Sequence, residues 1–201
     1  MANEGRRVNA VSEIAEAIRN RRSSRAFSAS LVEREKVELL LEAFRWAPSS
    51  YNRQPWRVIV AEDADSKRAW DAALTDGNEL WAPAASVKLI VVGNPDEQSS
   101  DFGQQRWLLD CGLGLGQLLI QACSLGLHVR AMAGFDEDKA RVGFRIPDPF
   151  RIAAFVAAGY PGEISDLPLE IQQRERRARV RKTLTEFVFY NRFGFPLVSL
   201  P

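Results

Sequence analysis

The chain is poor in several of the residues on which enzymes most often rely. It has one histidine, His128, and two cysteines, Cys111 and Cys123, in 201 residues. A catalytic metal site normally draws on several histidines or clustered cysteines, so a lone histidine argues against one. No GxSxG surrounds any serine, and with one histidine a serine or cysteine triad has little support. Both cysteines lie in an apolar, helix-patterned stretch, where buried free thiols and a reducing, cytoplasmic setting are expected. No run approaches the roughly 20 apolar residues needed to span a bilayer. The opening MANEGRRVNA lacks an apolar core of signal-peptide type, so a soluble protein is expected. There is no excess charge of one sign either. The 27 basic and 26 acidic residues nearly cancel, so any electropositive site must be local, and nothing at whole-chain level calls for nucleic acid or an anionic membrane. GLGLG at residues 112–116 lacks the GxGxxG spacing and sits inside a helical pattern with no strand leading into it. Close approach between helices explains these glycines better than a dinucleotide loop.

With 46% apolar content, a single well-cored domain is expected. Helical spacing predicts a helix from Val11 to Asn20, and a second through Val37, Leu40, Leu41 and Phe44, stopped by Pro48. WRVIVAE, VKLIVVGNP, HVRAMAGF and RIAAFVAAGYPG read as strands, the second apolar enough to be buried on both faces. KRAWDAALTDGNELW reads as helix and turn, and DEDKARVGFRI as a short helix. RWLLDCGLGLGQLLIQACSLGL is apolar around most of its circumference, as expected of a helix at the middle of a core or an interface. Helices alternating with about four strands give an α/β or α+β class with a helix-covered sheet. After Gly162 a basic stretch with few apolar anchors, residues 163–182, leads to the aromatic TLTEFVFYNRFGFPLV, whose natural place is on a partner subunit.

Two arginine clusters stand out. RRSSR holds Arg21, Arg22 and Arg25 around two hydroxyls, and RERRARVRK holds Arg174, Arg176, Arg177, Arg179, Arg181 and Lys182. Guanidinium groups match phosphate oxygens bidentately, yet runs of charge are also ordinary solvated surface, and either reading suits each cluster alone. PSSYNRQP at residues 48–55 is likewise either a plain turn or a set of hydrogen-bonding groups for a ligand.

RRSSRAF, APSSYNRQPWRVIV, GNELWAPAASVKLIVV, LLDCGLGLGQLLIQACSLGL, AMAGFDEDKARVGFRIP, AAFVAAGYPG and RVRKTLTEFVFYNRFG, in this order over residues 11–195, resemble the FMN-dependent nitroreductase family. The resemblance implies an α+β fold with a central mixed β-sheet sandwiched by helices. It also implies a homodimer with FMN at the interface and a C-terminal arm exchanged between subunits. On this reading residues 1–162 form the core and residues 163–201 the basic linker and arm of one domain. Carried over by position, Arg21, Arg22 and Ser23 would hold the FMN phosphate and ribityl end, and Arg25 would be the cation near the flavin N1/O2 edge. Pro48, Ser49, Ser50 and Asn52 would face the flavin from the other subunit. Asn78 would meet the pyrimidine edge, Ala133 and Gly134 would face N5 with backbone, and Arg179 and Arg181 would complete the phosphate clamp.

No side chain is then needed as an acid or base, because the flavin carries the chemistry and Arg25 tunes it. At an effective dielectric of ~20, a cation about 4 Å from a developing charge is worth roughly 4 kcal/mol before screening. The implied activity is electron transfer from NADH or NADPH to a nitroaromatic, quinone or similar small acceptor by a ping-pong route. The same site would also serve heterocycle dehydrogenation, reductive dehalogenation, flavin cleavage or a flavin-binding module without turnover. Three departures from the family pattern stand out. Only DEQSSDFGQQR separates the second strand from the apolar helix, so the pocket should be more open or roofed by another segment. Thr183 stands where a proline is common. Ala133 stands where some members have glutamate.

Overall fold

A computed structural model describes residues 14–97 and 105–195. The seven helices described are α1 (Glu16–Asn20), α2 (Arg34–Arg45), α3 (Ala64–Ala72), α4 (Arg106–Ser124), α5 (Glu137–Phe144), α6 (Leu169–Glu175) and α7 (Leu184–Phe187). The four strands are β1 (Trp56–Val60), β2 (Val87–Gly93), β3 (His128–Met132) and β4 (Arg151–Gly159). All four fall on the predicted segments. The start of the first expected helix, at Val11, and most of DEQSSDFGQQR lie outside the described residues.

The strands form one sheet in the order β1-β2-β4-β3, and every pairing is antiparallel. The expected mixed sheet is therefore corrected for this chain: no two of its described strands run parallel. Parallel neighbours need a crossover, whereas an antiparallel neighbour lets β3 and β4 pair directly around α5.

Side-chain alternation explains why both faces of so small a sheet are covered. On β2, Ile90 and Val92 join one apolar cluster, while Val87, Leu89 and Val91 join the other. On β4, Phe155 and Ala157 take the first face and Val156 and Ala158 the second. The first cluster is closed by Trp70 of α3, Ala140 of α5 and Ile171 of α6. The second is closed by Leu40 and Phe44 of α2 and by Trp107, Cys111, Leu118 and Ala122 of α4. Burying Ile171 anchors the first part of the basic stretch more firmly than its composition suggests.

Helix α4 is apolar around most of its circumference but buried on one side only. Gly114 faces inward, where an added Cβ would lie 2.6 Å from the Phe44 ring, so this glycine lets α2 approach α4 closely. Gly112 and Gly116 would meet nothing within 4 Å, and Leu108, Leu109 and Leu113 beside them are exposed. Cys111 is fully buried, its thiol pushed up to about 12 by burial, whereas Cys123 is only half-buried; both are free.

Candidate functional site

The loop between α1 and α2 is pinned to the sheet by backbone pairing and by two side chains of β3. Gly162 N–H donates to the Ala26 carbonyl and Ser28 N–H to the Tyr160 carbonyl, so residues 26–28 run beside the end of β4. His128 donates from Nδ1 to the Ala26 carbonyl at 3.0 Å, which gives the lone histidine a structural job. Arg130 donates to the Ser23 carbonyl at 2.7 Å. With its ends fixed, RRSSR presents its side chains to α6 and the segment beyond it.

There the two arginine clusters meet. Arg21, Arg22, Ser23 and Arg25 share one hollow of about 220 Å³ with Arg174, Glu175, Arg179 and Arg181. Arg21 donates to Ser23 Oγ at 3.0 Å. Arg179 donates to the Arg21 carbonyl at 2.8 Å and also to that of Arg19. Burial and the neighbouring Arg181 and Arg179 lower the Arg21 pKa, while Cys123 opposes the shift. So many cations in one place need a counter-charge, and Glu175 supplies part of it. Its carboxylate is buried, accepts from Ser24 Oγ at 2.6 Å and pairs with Arg25 at 3.3 Å. Arg22 reaches the carbonyls of Glu175 and Arg177 at 3.4 and 3.3 Å, lashing the loop to the end of α6.

A second hollow, of about 310 Å³, continues from the first because Arg25 and Arg174 line both. Asp76, Asn78, Trp81, Arg130 and Ala133 also face it. Asp76 and Gly77 have φ of 60° and 76°, and Asn78 N–H closes the turn onto the Thr75 carbonyl, the geometry an Asp-Gly pair favours. The turn delivers Asn78 to the Gly134 carbonyl, to which its amide donates at 3.0 Å. Gly134 must be glycine here, since a Cβ would lie 2.7 Å from both Asn78 Nδ2 and Asp76 Oδ2. Trp81 forms a floor: the Arg130 and Arg25 guanidiniums lie 5.4 and 6.0 Å from its ring centroid.

Of the residues named from sequence, Arg21, Arg22, Ser23, Arg25, Asn78, Ala133, Arg179 and Arg181 line this double hollow, and Gly134 adjoins it. Pro48, Ser49, Ser50 and Asn52 do not. They sit at the end of α2, where Ser50 N–H donates to both carboxylate oxygens of Asp110 at 3.2 Å. Ser49 Oγ accepts from Gln54 N–H at 3.0 Å. Tyr51, Asn52 and Gln54 all have φ near +50°, an unusual run for residues other than glycine. Burial raises the Asp110 pKa, with the Ser50 N–H and Arg106 pulling the other way.

Sequence reading missed Arg130, Trp81, Asp76 and the role of Glu175. A signal existed for Arg130. On a strand, residues 128, 130 and 132 share a face, so HVRAM places this arginine beside the buried Met132 rather than toward solvent.

The donor set suits an elongated ligand with a phosphate at one end and an amide-edged ring at the other. Clustered guanidiniums and a serine hydroxyl match the first, and Asn78 with backbone at Ala133 and Gly134 matches the second. Arg130 Nε is buried with no hydrogen-bond partner among the described residues, a donor such a ligand could satisfy.

Residues 18–160 match the model of the nitroreductase family. A Thermus thermophilus protein named NADH dehydrogenase is 30% identical over 172 residues, covering 71% of this chain and 84% of its own length. A solved structure described as an oxidoreductase containing FMN superposes with a TM-score of 0.80 at 31% identity, over 90% of this chain and 93% of that one. A nitroreductase family protein from Clostridium difficile superposes with a TM-score of 0.73 at 26% identity, over 88% and 96%.

Proposed function

Because the chain belongs to the nitroreductase family, we propose that it is an FMN-dependent oxidoreductase. In this reading it takes a hydride from NADH or NADPH and passes the electrons to a nitroaromatic, quinone or similar acceptor by a ping-pong route. The observation that carries the reading is the double hollow, with phosphate-type donors at one end and Asn78, Arg25 and Ala133 at the other. The FMN in the 31% identical structure and the name of the Thermus thermophilus relative support the cofactor and the donor.

FMN supplies the two-electron chemistry when bound. Arg21, Ser23 and Arg181 would hold its phosphate, with Arg179 bracing the loop through the Arg21 carbonyl. Asn78 would meet the pyrimidine edge, kept in place by the Asp76–Gly77 turn. Arg25, held by Glu175, would keep a positive charge where negative charge develops. Hydride transfer at such a ring would need no side chain as acid or base.

Two surfaces support a homodimer. Leu108, Leu109 and Leu113 with Gly112 and Gly116 make an apolar face of α4 that a second copy would cover. Phe187, Tyr190, Phe193 and Phe195 expose further apolar area on the segment expected to embrace the partner. Ser49, Ser50 and Asn52 would then approach the flavin from the opposite chain. A reducing, cytoplasmic setting is supported by the two free thiols, and no described helix is long and apolar enough to cross a membrane.

The test is anaerobic mixing of FMN-loaded protein with NADH and with NADPH, followed at about 450 nm, where oxidised flavin absorbs. Bleaching by either donor, reversed by a quinone or nitroaromatic, is expected. A protein that takes up no FMN would sink the cofactor assignment, and bound FMN that neither donor bleaches would sink the activity.

A further inference from the structure

The ring end of the hollow carries more positive charge than one tuning cation requires. Arg25, Arg130 and Arg174 face it, against a single carboxylate, Asp76. Arg25 and Arg130 share the Trp81 floor, and Glu175 touches this group through Arg25.

We propose that Arg130 and Glu175 are an opposed pair of positioning residues that set the charge felt by the redox ring, Arg130 adding to it through its partly buried guanidinium and Glu175 subtracting from it through Arg25. This rests on the FMN reading above.

Three observations carry it. The first is placement: strand alternation turns Arg130 inward with Met132, and its guanidinium both closes on the Ser23 carbonyl and keeps a buried, unpartnered Nε. A buried donor without a partner costs free energy unless something else accepts from it, and a ring edge bearing carbonyls is such an acceptor. The second is cost. Burial lowers the Arg130 pKa, the nearby Arg25 lowers it further, and Glu175 opposes both. Two guanidiniums held together at a partly buried site oppose folding, so the arrangement makes sense where negative charge arrives to neutralise them. The third is the position of Glu175. Its carboxylate accepts from Ser24 and pairs with Arg25, so it fixes where that cation points and cancels part of its field. Charges in such a site are screened far less than on the surface, so each should be visible in the reduction equilibrium of the bound ring.

The experiment is a midpoint-potential titration of FMN bound to wild type, Arg130→Gln, Arg130→Lys and Glu175→Gln, with flavin content read from the spectrum. Arg130→Gln should make reduction harder by at least tenfold in the equilibrium, about 30 mV for two electrons. Arg130→Lys, which keeps the charge, should return most of the shift. Glu175→Gln keeps a group that can hydrogen-bond Ser24 and should move the potential the opposite way. Potentials that do not move, that move in the same direction in Arg130→Gln and Glu175→Gln, or that fall equally in Arg130→Lys, overturn the proposal. Should Arg130→Gln hold no flavin, Glu175→Gln decides it: a potential raised above wild type, with Arg130→Lys near the wild-type value, supports the proposal, and a Glu175→Gln potential that stays or falls overturns it. Wild type that binds no FMN is a different result, and it overturns the reading on which the proposal rests.

Discussion

The loop at residues 21–25 and the turn at residues 48–54 are both polar segments following helices, yet the chain handles them differently. The first is tied to β3 and to α6, the residues just after it are tied to residues 160–162, and its arginines end in a hollow that two distant stretches of sequence complete. The second is tied to α4 through Asp110, holds three non-glycine residues at positive φ, and leaves Tyr51 and Asn52 exposed. One segment builds a site from a single chain; the other is shaped just as firmly without lining it. Backbone strain of order 1–3 kcal/mol per residue is kept where surrounding structure enforces it, often for function. On the proposed function, the first segment would hold the ligand and the second would belong to a surface facing another copy.

The sharpest way to break this comparison is at the phosphate end. Arg21→Ala removes a part-buried guanidinium between Ser23 and the cations Arg179 and Arg181. A charge-assisted hydrogen bond is worth about 1.5–3 kcal/mol, so FMN affinity should fall roughly 10- to 150-fold. Fluorescence titration of the apoprotein measures it. An unchanged Kd would mean that the hollow does not hold the phosphate.

Next comes the other segment. Gly112→Glu puts a carboxylate on the open side of α4, where an added Cβ meets nothing within 4 Å among the described residues. The monomer should fold with near wild-type thermal stability, because the site is exposed and substitutions there usually cost within about 0.5 kcal/mol plus the helix gain over glycine. Its dimerisation should fail in analytical ultracentrifugation, and FMN affinity should fall with it. A monomeric variant that binds FMN as tightly as wild type would detach residues 48–54 from the site.

What could be read from sequence follows the reach of local rules. The four strands were legible because β-branched runs bounded by breakers are local signals, and α4 because its helical period is long. The antiparallel order β1-β2-β4-β3 was not, since pairing between distant strands leaves no mark in either one. Arg21 and Arg181 were visible as clusters, but composition alone left solvated surface as good a reading. The resemblance named their roles, and folding brought them together. Arg130 was hidden by being single, and Glu175 by lying among six cations that made it look like ordinary surface charge. GLGLG divided: Gly114 is explained by Phe44, whereas a Cβ at Gly112 or Gly116 would meet nothing within 4 Å among the described residues.

The smallest expected effect concerns the joint between the turn and α4. Burial raises the Asp110 pKa even though Ser50 N–H, bonded to both oxygens, favours the ionised form. Desolvation is thus the larger influence, and the folded state binds this proton more tightly than the unfolded state does. A raised folded-state pKa gives a contribution that is complete below the unfolded carboxylate value of about 3.9. That contribution is lost as pH climbs through the higher folded value. Urea midpoints of wild type and Asp110→Asn, compared from pH 4 to pH 7, should therefore diverge, with wild type losing ground to the variant as pH rises. A difference that instead grew in favour of wild type would mean that the Ser50 N–H outweighs burial. The turn would then be held by an ionic hydrogen bond, and its left-handed residues would owe their conformation to Asp110 rather than to a neighbouring subunit.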